Sequence, residues 1–340
     1  MSKQQVTIKD IARKLRISVS TVSRALRDLP DVNPETKVAV KALAEELNYE
    51  PNYIAQSLIN RRSRIIGVIV PVISAPVFGR ILEGMHDAAH LHGYQLMLCQ
   101  SNENSASEAA LVRQLIAFKV EGLVISVSGE TKNAASFEVL KKKEIPIVFF
   151  DRVLSDIDAS KIIVDEYKSA LMAVEHLINI GCRQLCHLAG PPDLSISIDR
   201  LNGYLSALKK HNLPINEKFI INCCKFEEDA LKATKQLFSE KSAPDGIFAI
   251  NDKSAIIAIN FLRKKGIKIP EDVAIVGFNN DPISEVVRPT LTSIMEPGYE
   301  IGSETIEMVI KHIENPKFPP QIITLHSKLI KRESTKRSPC

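Results

Sequence analysis

Between residues 65 and 330 the chain alternates short, almost unbroken apolar runs with longer amphipathic stretches. The runs are IIGVIVP, YQLMLCQ, GLVISV, IPIVFFD, KIIVD, QLCHLAG, GIFAIN and VAIVGFN. A strand that is apolar on both sides must be covered on both sides, the situation of a parallel sheet flanked by helices. The pattern predicts an α/β fold of doubly wound parallel sheets arranged as two lobes that face each other across a cleft. Lobe crossings are expected near residues 160 and 292, with a last strand around QIITLHSKLI that rejoins the architecture. Asp151, Asn251 and Asn279 end their strands in polar groups, and open α/β sheets bind ligands just beyond such carboxyl ends.

The first 64 residues have another character: they hold 12 Lys+Arg against 7 Asp+Glu, whereas the remainder holds 32 against 33. The net charge of +4 is therefore concentrated in a small N-terminal region, as expected of a polyanion-binding module joined to a neutral domain. Thr7 can cap a helix with Asp10 in its first turn, and Ile8, Ile11, Ala12 and Leu15 recur on one face. After the turn LRIS, Ser18 can cap a second helix, Val19–Leu26. Asn33 as cap and Pro34 as first helical residue then open a third, to about residue 47. Three short helices with a tight turn between the first two form a helix-turn-helix pattern. Val22, Ala25 and Leu26 share one side of the second helix, while Ser20, Ser23 and Arg24 fall away from it. Hydroxyls compete with the backbone for hydrogen bonds and are poor mid-helix residues. On a helix lying in the major groove they let the backbone come close to phosphates, and Arg24 can reach base edges. The segment after Pro51 offers Asn52 as cap of a two-turn helix over residues 53–59, with Ala55 and Leu58 on one face and RRSR beyond. Such a helix suits a minor-groove wedge that forms on DNA, with a plain linker as the alternative.

VTIKDIARKLRISVSTVSRAL, NPETKVAVKALAEELNYEPNYIAQSL and IIGVIVP, in this order and spacing, closely resemble the lactose-repressor/galactose-repressor family of bacterial transcription regulators. The resemblance implies an all-α helix-turn-helix headpiece at 1–50, a hinge helix and linker at 51–63, and a tail at 333–340. Between them, at 64–332, it implies a periplasmic-binding-protein-like effector and dimerisation domain. It implies that Val19 and Ser20 read bases, that Arg24 is a further base contact, and that Thr21 and Ser23 meet phosphates. Thr7, Ser18, Asn33 and Tyr49 complete the headpiece candidates. Asn52, Ala55 and Leu58 belong to the hinge, with Leu58 at the leucine that opens the central base step. In the large domain it implies effector contacts at Phe78, Asp151, Arg200, Phe226, Asn251, Asp252 and Asn279. Planar Arg, amides, carboxylates and aromatic faces suit a polyhydroxylated ligand. Arg200 and Asp252 are as well suited to ion pairs within a lobe, and Phe226 to a core position.

Departures from the family pattern bear on the ligand. Asn279 and Asn280 stand where two acids are frequent, and Asp165–Glu166 where Asp–Asn is common. Leu194 and Ile196 are apolar where purine-responsive members carry polar groups, which argues against a purine. A sugar is the expected effector, with a purine or phosphosugar as the alternative.

The rival classes are an enzyme and a free solute-binding receptor. The chain has no P-loop, nucleophile elbow or Gly-rich dinucleotide turn, and its histidines lack metal-ligand spacing, so neither catalysis nor a cofactor or metal is expected. A receptor would need an export signal, which MSKQQVTIKD does not resemble, and no apolar run reaches a membrane span. The six cysteines, at 99, 182, 186, 223, 224 and 340, lack zinc spacing and suit reduced thiols in the cytoplasm. A homodimer on double-stranded operator DNA is expected, because one headpiece reads only a half-site. The terminal KRESTKRSPC lacks leucine heptads and reads as disordered.

Overall fold

The computed structural model describes residues 6–49, 62–223, 227–239 and 243–337. The chain divides into two compact units, Met1–Ser63 and Arg64–Cys340. The hinge helix expected over 53–59 lies outside the described residues.

In the first unit, helices α1 (Ile8–Leu15), α2 (Val19–Leu26) and α3 (Pro34–Glu46) enclose a small core. Thr7 closes the start of α1, its backbone N–H and hydroxyl donating to Asp10 Oδ2 at 3.0 and 2.7 Å. Arg16, at φ 54°, reverses the chain toward α2. Ser18 Oγ accepts from the Thr21 N–H (3.0 Å), and Asn33 Oδ1 from that of Glu35 (2.8 Å). Helices this short are marginal alone. Burial of Ile11, Val22, Ala25 and Val40, each fully enclosed, holds them together.

The second unit carries two six-stranded sheets. The first contains β1 (Ile65–Val70), β2 (Gln95–Gln100), β3 (Gly122–Ile125), β4 (Ile147–Phe150), β5 (Ser160–Val164) and β11 (Ile322–Leu325), in the order β11-β5-β4-β3-β1-β2. The second contains β6 (Leu185–Ala189), β7 (Ile220–Asn222), β8 (Gly246–Ala249), β9 (Ala274–Phe278), β10 (Thr292–Met295) and β12 (Lys328–Ile330), in the order β12-β10-β9-β8-β6-β7. Pairing is parallel except between β10 and β12. Helices α4 (Pro76–Leu91), α5 (Ser105–Ala117) and α6 (Glu138–Lys142) belong to the first lobe. Helices α7 (Glu166–Asn179), α8 (Ser195–Lys210), α9 (Glu227–Leu237) and α10 (Asp252–Lys264) belong to the second, and α11 (Gly298–Glu314) returns to the first.

The apolar runs are buried on both sides for the reason that the sequence suggests. Ile66, Val68 and Val70 of β1 pack with Ile81, Met85 and Val309 of α4 and α11, whereas Ile69 faces Val112 and Leu115 of α5. Helices α4 and α11 cross closely because glycines meet there: a Cβ on Gly302 would stand 1.9 Å from the Ile81 carbonyl oxygen.

The chain crosses between lobes at Asp165, at Glu296–Pro297 and between β11 and β12. The crossings expected near 160 and 292 are displaced by a strand, since Ser160 and Thr292 begin β5 and β10, and each strand completes its sheet before the chain leaves. The terminal segment also departs from expectation. Residues 333–337 are ordered against the second lobe, with Ser334 and Thr335 buried. Ser334 Oγ donates to the Ile275 carbonyl (2.6 Å) and accepts from the Thr292 N–H (2.9 Å). Composition misleads here because these hydroxyls bind strand backbone groups that would otherwise be orphaned. Among the described residues no helix is long and apolar enough to cross a membrane.

Candidate functional site

Helix α2 presents Val19, 41% exposed, with Ser20 and Arg24 on its open face. The Ser18 hydroxyl lies 2.7 Å from Ser20 Oγ and 2.8 Å from Thr21 Oγ1, so the start of the helix is a linked group of hydroxyls. Thr21 and Ser23 are half-buried at the margin. Arg24 is held by a partner that the sequence pattern did not indicate: its Nη1 donates to Asp31 Oδ2 at 3.0 Å. Both side chains are largely exposed, so this contact is weak and easily exchanged. Ser18, Val19, Ser20 and Arg24 thus gather on one helix. Thr7 and Asn33 cap α1 and α3, and Tyr49 packs against the headpiece core, where burial raises its pKa. Asn52, Ala55 and Leu58 lie outside the described residues.

In the second unit a cavity of about 650 Å³ opens between the carboxyl ends of the two sheets. Val72, Phe78, Leu194, Ile196, Ile250 and Ile256 supply apolar wall, and Asp151, Arg200, Asn251 and Asn279 polar groups. Phe78 is edge-on to Phe150, with ring centroids 6.4 Å apart. Asp151 ends β4 at φ 58°, a left-handed backbone rare for a non-glycine residue and frequent at functional sites. Its Oδ2 accepts from Ser126 Oγ at 2.8 Å. Asn251 caps α10, its Oδ1 accepting from the Ser254 N–H at 2.9 Å, so its amide NH2 is left for the cavity. Asn279 donates from Nδ2 to Glu296 Oε2 at 2.6 Å, which leaves its carbonyl oxygen.

Arg200 is the centre of this arrangement. It stacks 3.5 Å from the Phe278 ring centroid and donates from Nη1 to the Ile250 carbonyl at 2.7 Å. Its Nε donates to Glu166 Oε2 at 2.7 Å, and its Nη2 stands 3.8 Å from Glu296 Oε1. Glu166 and Glu296 sit at the first two crossings, so the guanidinium ties together the strands that join the lobes. Burial, and then the charge of Glu166, hold the Glu296 carboxyl well above the ordinary carboxylate range. Burial also raises Glu166, against the pull of Arg200. Two buried acids this close to one cation cannot both ionise as readily as in water, which is why both are pushed upward.

Asp252 does not join the cavity. It is fully enclosed, and its carboxylate accepts from the Asp281 N–H, Ser284 Oγ and Ser293 Oγ at 2.6, 2.8 and 2.6 Å. It braces the turn after β9, in space left by Gly277, where a Cβ would lie 2.1 Å from Asp252 Oδ1. The effector role expected of it is replaced by this structural one. Phe226 lies outside the described residues. Glu296, Asp281 and the Glu103–Arg152 pair (2.8 Å) were not singled out by sequence reasoning. An acid one to three residues beyond a strand, in TSIMEP and GFNND, was the available signal.

Residues 63–333 match the family described as periplasmic binding proteins and sugar binding domain of the LacI family. Residues 7–52 match bacterial regulatory proteins of the lacI family. The chain belongs to the LacI family. It is 30% identical over 332 residues to catabolite control protein A of Priestia megaterium, covering 97% of this chain and 99% of that one. It is 31% identical over 332 residues to the ribose operon repressor of Bacillus subtilis strain 168, with the same coverages. A crystal structure of the lac repressor dimer bound to operator and the anti-inducer ONPF shares its fold, with a TM-score of 0.88 at 24% identity over 98% of this chain and 99% of that one. As a LacI-family member the chain is a DNA-binding transcriptional regulator with a ligand-binding domain. Among the described residues no group of His, Cys, Asp and Glu is arranged to hold a metal ion.

Proposed function

We propose that this regulator works as a cytoplasmic homodimer that represses transcription by binding an operator, with affinity set by a small carbohydrate in the 650 Å³ cavity. The observation that carries this reading is the convergence of Asp151, Arg200, Asn251 and Asn279 on one apolar-walled space beside the lobe crossings. A ligand touching groups from both lobes binds the two lobe orientations unequally, and only such differential affinity can move an equilibrium between DNA-competent and incompetent states. Val19, Ser20 and Arg24 read bases, Thr21 and Ser23 meet phosphates, and Leu58 acts as the minor-groove wedge. Leu194 and Ile196 on the cavity wall speak against a purine. The likeness to a ribose operon repressor supports a sugar.

The test is fluorescence anisotropy with promoter fragments, repeated with a sugar panel preselected by thermal shift. A single high-affinity site, strongly weakened by salt and shifted by one sugar, is expected. A protein that binds no promoter fragment above the level of random DNA, or whose operator affinity no cavity ligand alters, overturns the reading.

A further inference from the structure

Asp281 lines the cavity and is 8% exposed, yet among the described residues its carboxylate has no hydrogen-bond or ion-pair partner. Its backbone N–H is anchored to Asp252 Oδ2 at 2.6 Å, and Asn279 and Asn280, at φ 96° and 52°, turn the chain into it. An isolated carboxylate removed from water is costly unless something of opposite charge reaches it. Burial lifts its pKa to about 6, the mark of a carboxyl that no cation of the chain compensates.

The cavity's arginines are already engaged by acids of the chain. Arg152 Nη1 meets both oxygens of Glu103, at 2.8 and 2.9 Å, and Arg200 is bracketed by Glu166 and Glu296. With Asp151 and Asp281 added, the carboxyl groups in and behind the cavity outnumber the basic side chains Arg152, Arg200 and Lys253. Neutralising Glu296, whose carboxyl burial pushes upward, does not remove the excess. Charge of one sign inside low-dielectric walls attracts the opposite sign and repels its own.

We propose that the cavity takes a polyhydroxylated ligand bearing a protonated amine, an amino sugar in chemical class, with its ammonium at Asp281. This rests on the reading that the cavity is the effector site. The hydroxyls meet Asp151, Asn251 and Asn279, and the apolar ring face lies against Phe78. The same charge arrangement disfavours sugar phosphates.

Titration calorimetry on the full-length protein tests this with matched sets built on glucose, galactose and mannose: the 2-amino sugar, its N-acetyl derivative, the parent hexose and the hexose 6-phosphate. One amino sugar should bind at least about tenfold more tightly than its three counterparts. Asp281→Asn, close in shape, should remove that preference, bringing the amine-to-hexose affinity ratio to about one. Asp281→Ser should do the same, and circular dichroism of both variants should match wild type. If a neutral hexose or a phosphate binds more tightly than every amine, or if the amine-to-hexose ratio survives both substitutions, the amine assignment is overturned while the sugar reading stands. If no member of any set binds, the amine assignment fails, and the sugar reading stands or falls separately on the wider sugar panel.

Discussion

Arg200 illustrates how a side chain read as a ligand contact is first a structural charge. Its guanidinium lies between Glu166 and Glu296, all three side chains nearly fully buried, and removal of one member of a buried ionic group leaves uncompensated charge. Arg200→Ala should therefore destabilise the sensor domain by about 3–5 kcal/mol, read from the urea midpoint of its unfolding transition. Glu296→Gln should be tolerated, because burial already pushes the Glu296 carboxyl toward its neutral form and glutamine can still accept from Asn279. A Glu296→Gln protein as unstable as Arg200→Ala would mean that Glu296 is ionised. Asp281 gives a pH signature. Its native pKa is raised from 3.8 to about 6, so the folded state holds this proton more tightly than the unfolded chain. That stabilisation is complete below the unfolded value and lost as pH rises through the folded one. Thermal melts between pH 4 and 7.5 should show wild type losing stability relative to Asp281→Asn, with the change centred below pH about 6. Parallel curves would show that the carboxyl is solvated.

Helix α2 has its core-facing stripe and its exposed face set by local pattern, and the Ser18 cap holds where the spacing places it. Arg24→Ala should weaken specific operator binding by about 1–3 kcal/mol, as loss of a bidentate base contact does, and should relax preference at one base pair. Asp31→Asn has the opposite expectation. It frees Arg24 from its 3.0 Å partner and removes an anion near phosphates, so operator affinity should rise modestly. Operator titrations at two salt concentrations measure both, and a fall in affinity for Asp31→Asn would show that the pair orients Arg24 for DNA. Strand β10, TSIM, is half hydroxyl residues and stands where a crossing was expected, and Glu296 just after it carries no local mark, because an acid beyond a strand is usually solvated.

In the sensor domain, Lys132 and Asp193 face each other across the cleft mouth at 3.5 Å, both more than half exposed. An exposed pair is worth less than about 1 kcal/mol, too little to lock the lobes by itself. A ligand at a hundred times its Kd should add about 2.7 kcal/mol to the stability of the lobed domain. Calorimetric scans should show that transition moving upward as ligand concentration rises. A transition indifferent to a ligand that alters operator binding would place the ligand outside this domain. Replacement of Leu58 by Ala should weaken operator binding more than binding to random DNA, which anisotropy with both DNAs resolves.

The alternation of apolar runs and amphipathic helices, the caps at Thr7, Ser18 and Asn33, and the basic N-terminal region were legible in order along the chain. Each depends on residues within a few positions of one another, so the two-lobed α/β class and the helix-turn-helix followed from near neighbours. Phe78, Asp151, Arg200, Asn251 and Asn279 were legible as candidates too, from strand ends and family motifs, and the structure gathers all five at one cavity. The burial of Asp252 under Ser284 and Ser293, the ordering of Ser334 and Thr335, and the grouping of Glu166 and Glu296 around Arg200 were not legible. Residues 166, 200 and 296 are far apart in the chain, and whether an acid there is solvated, paired or left alone depends on what the completed fold places around it.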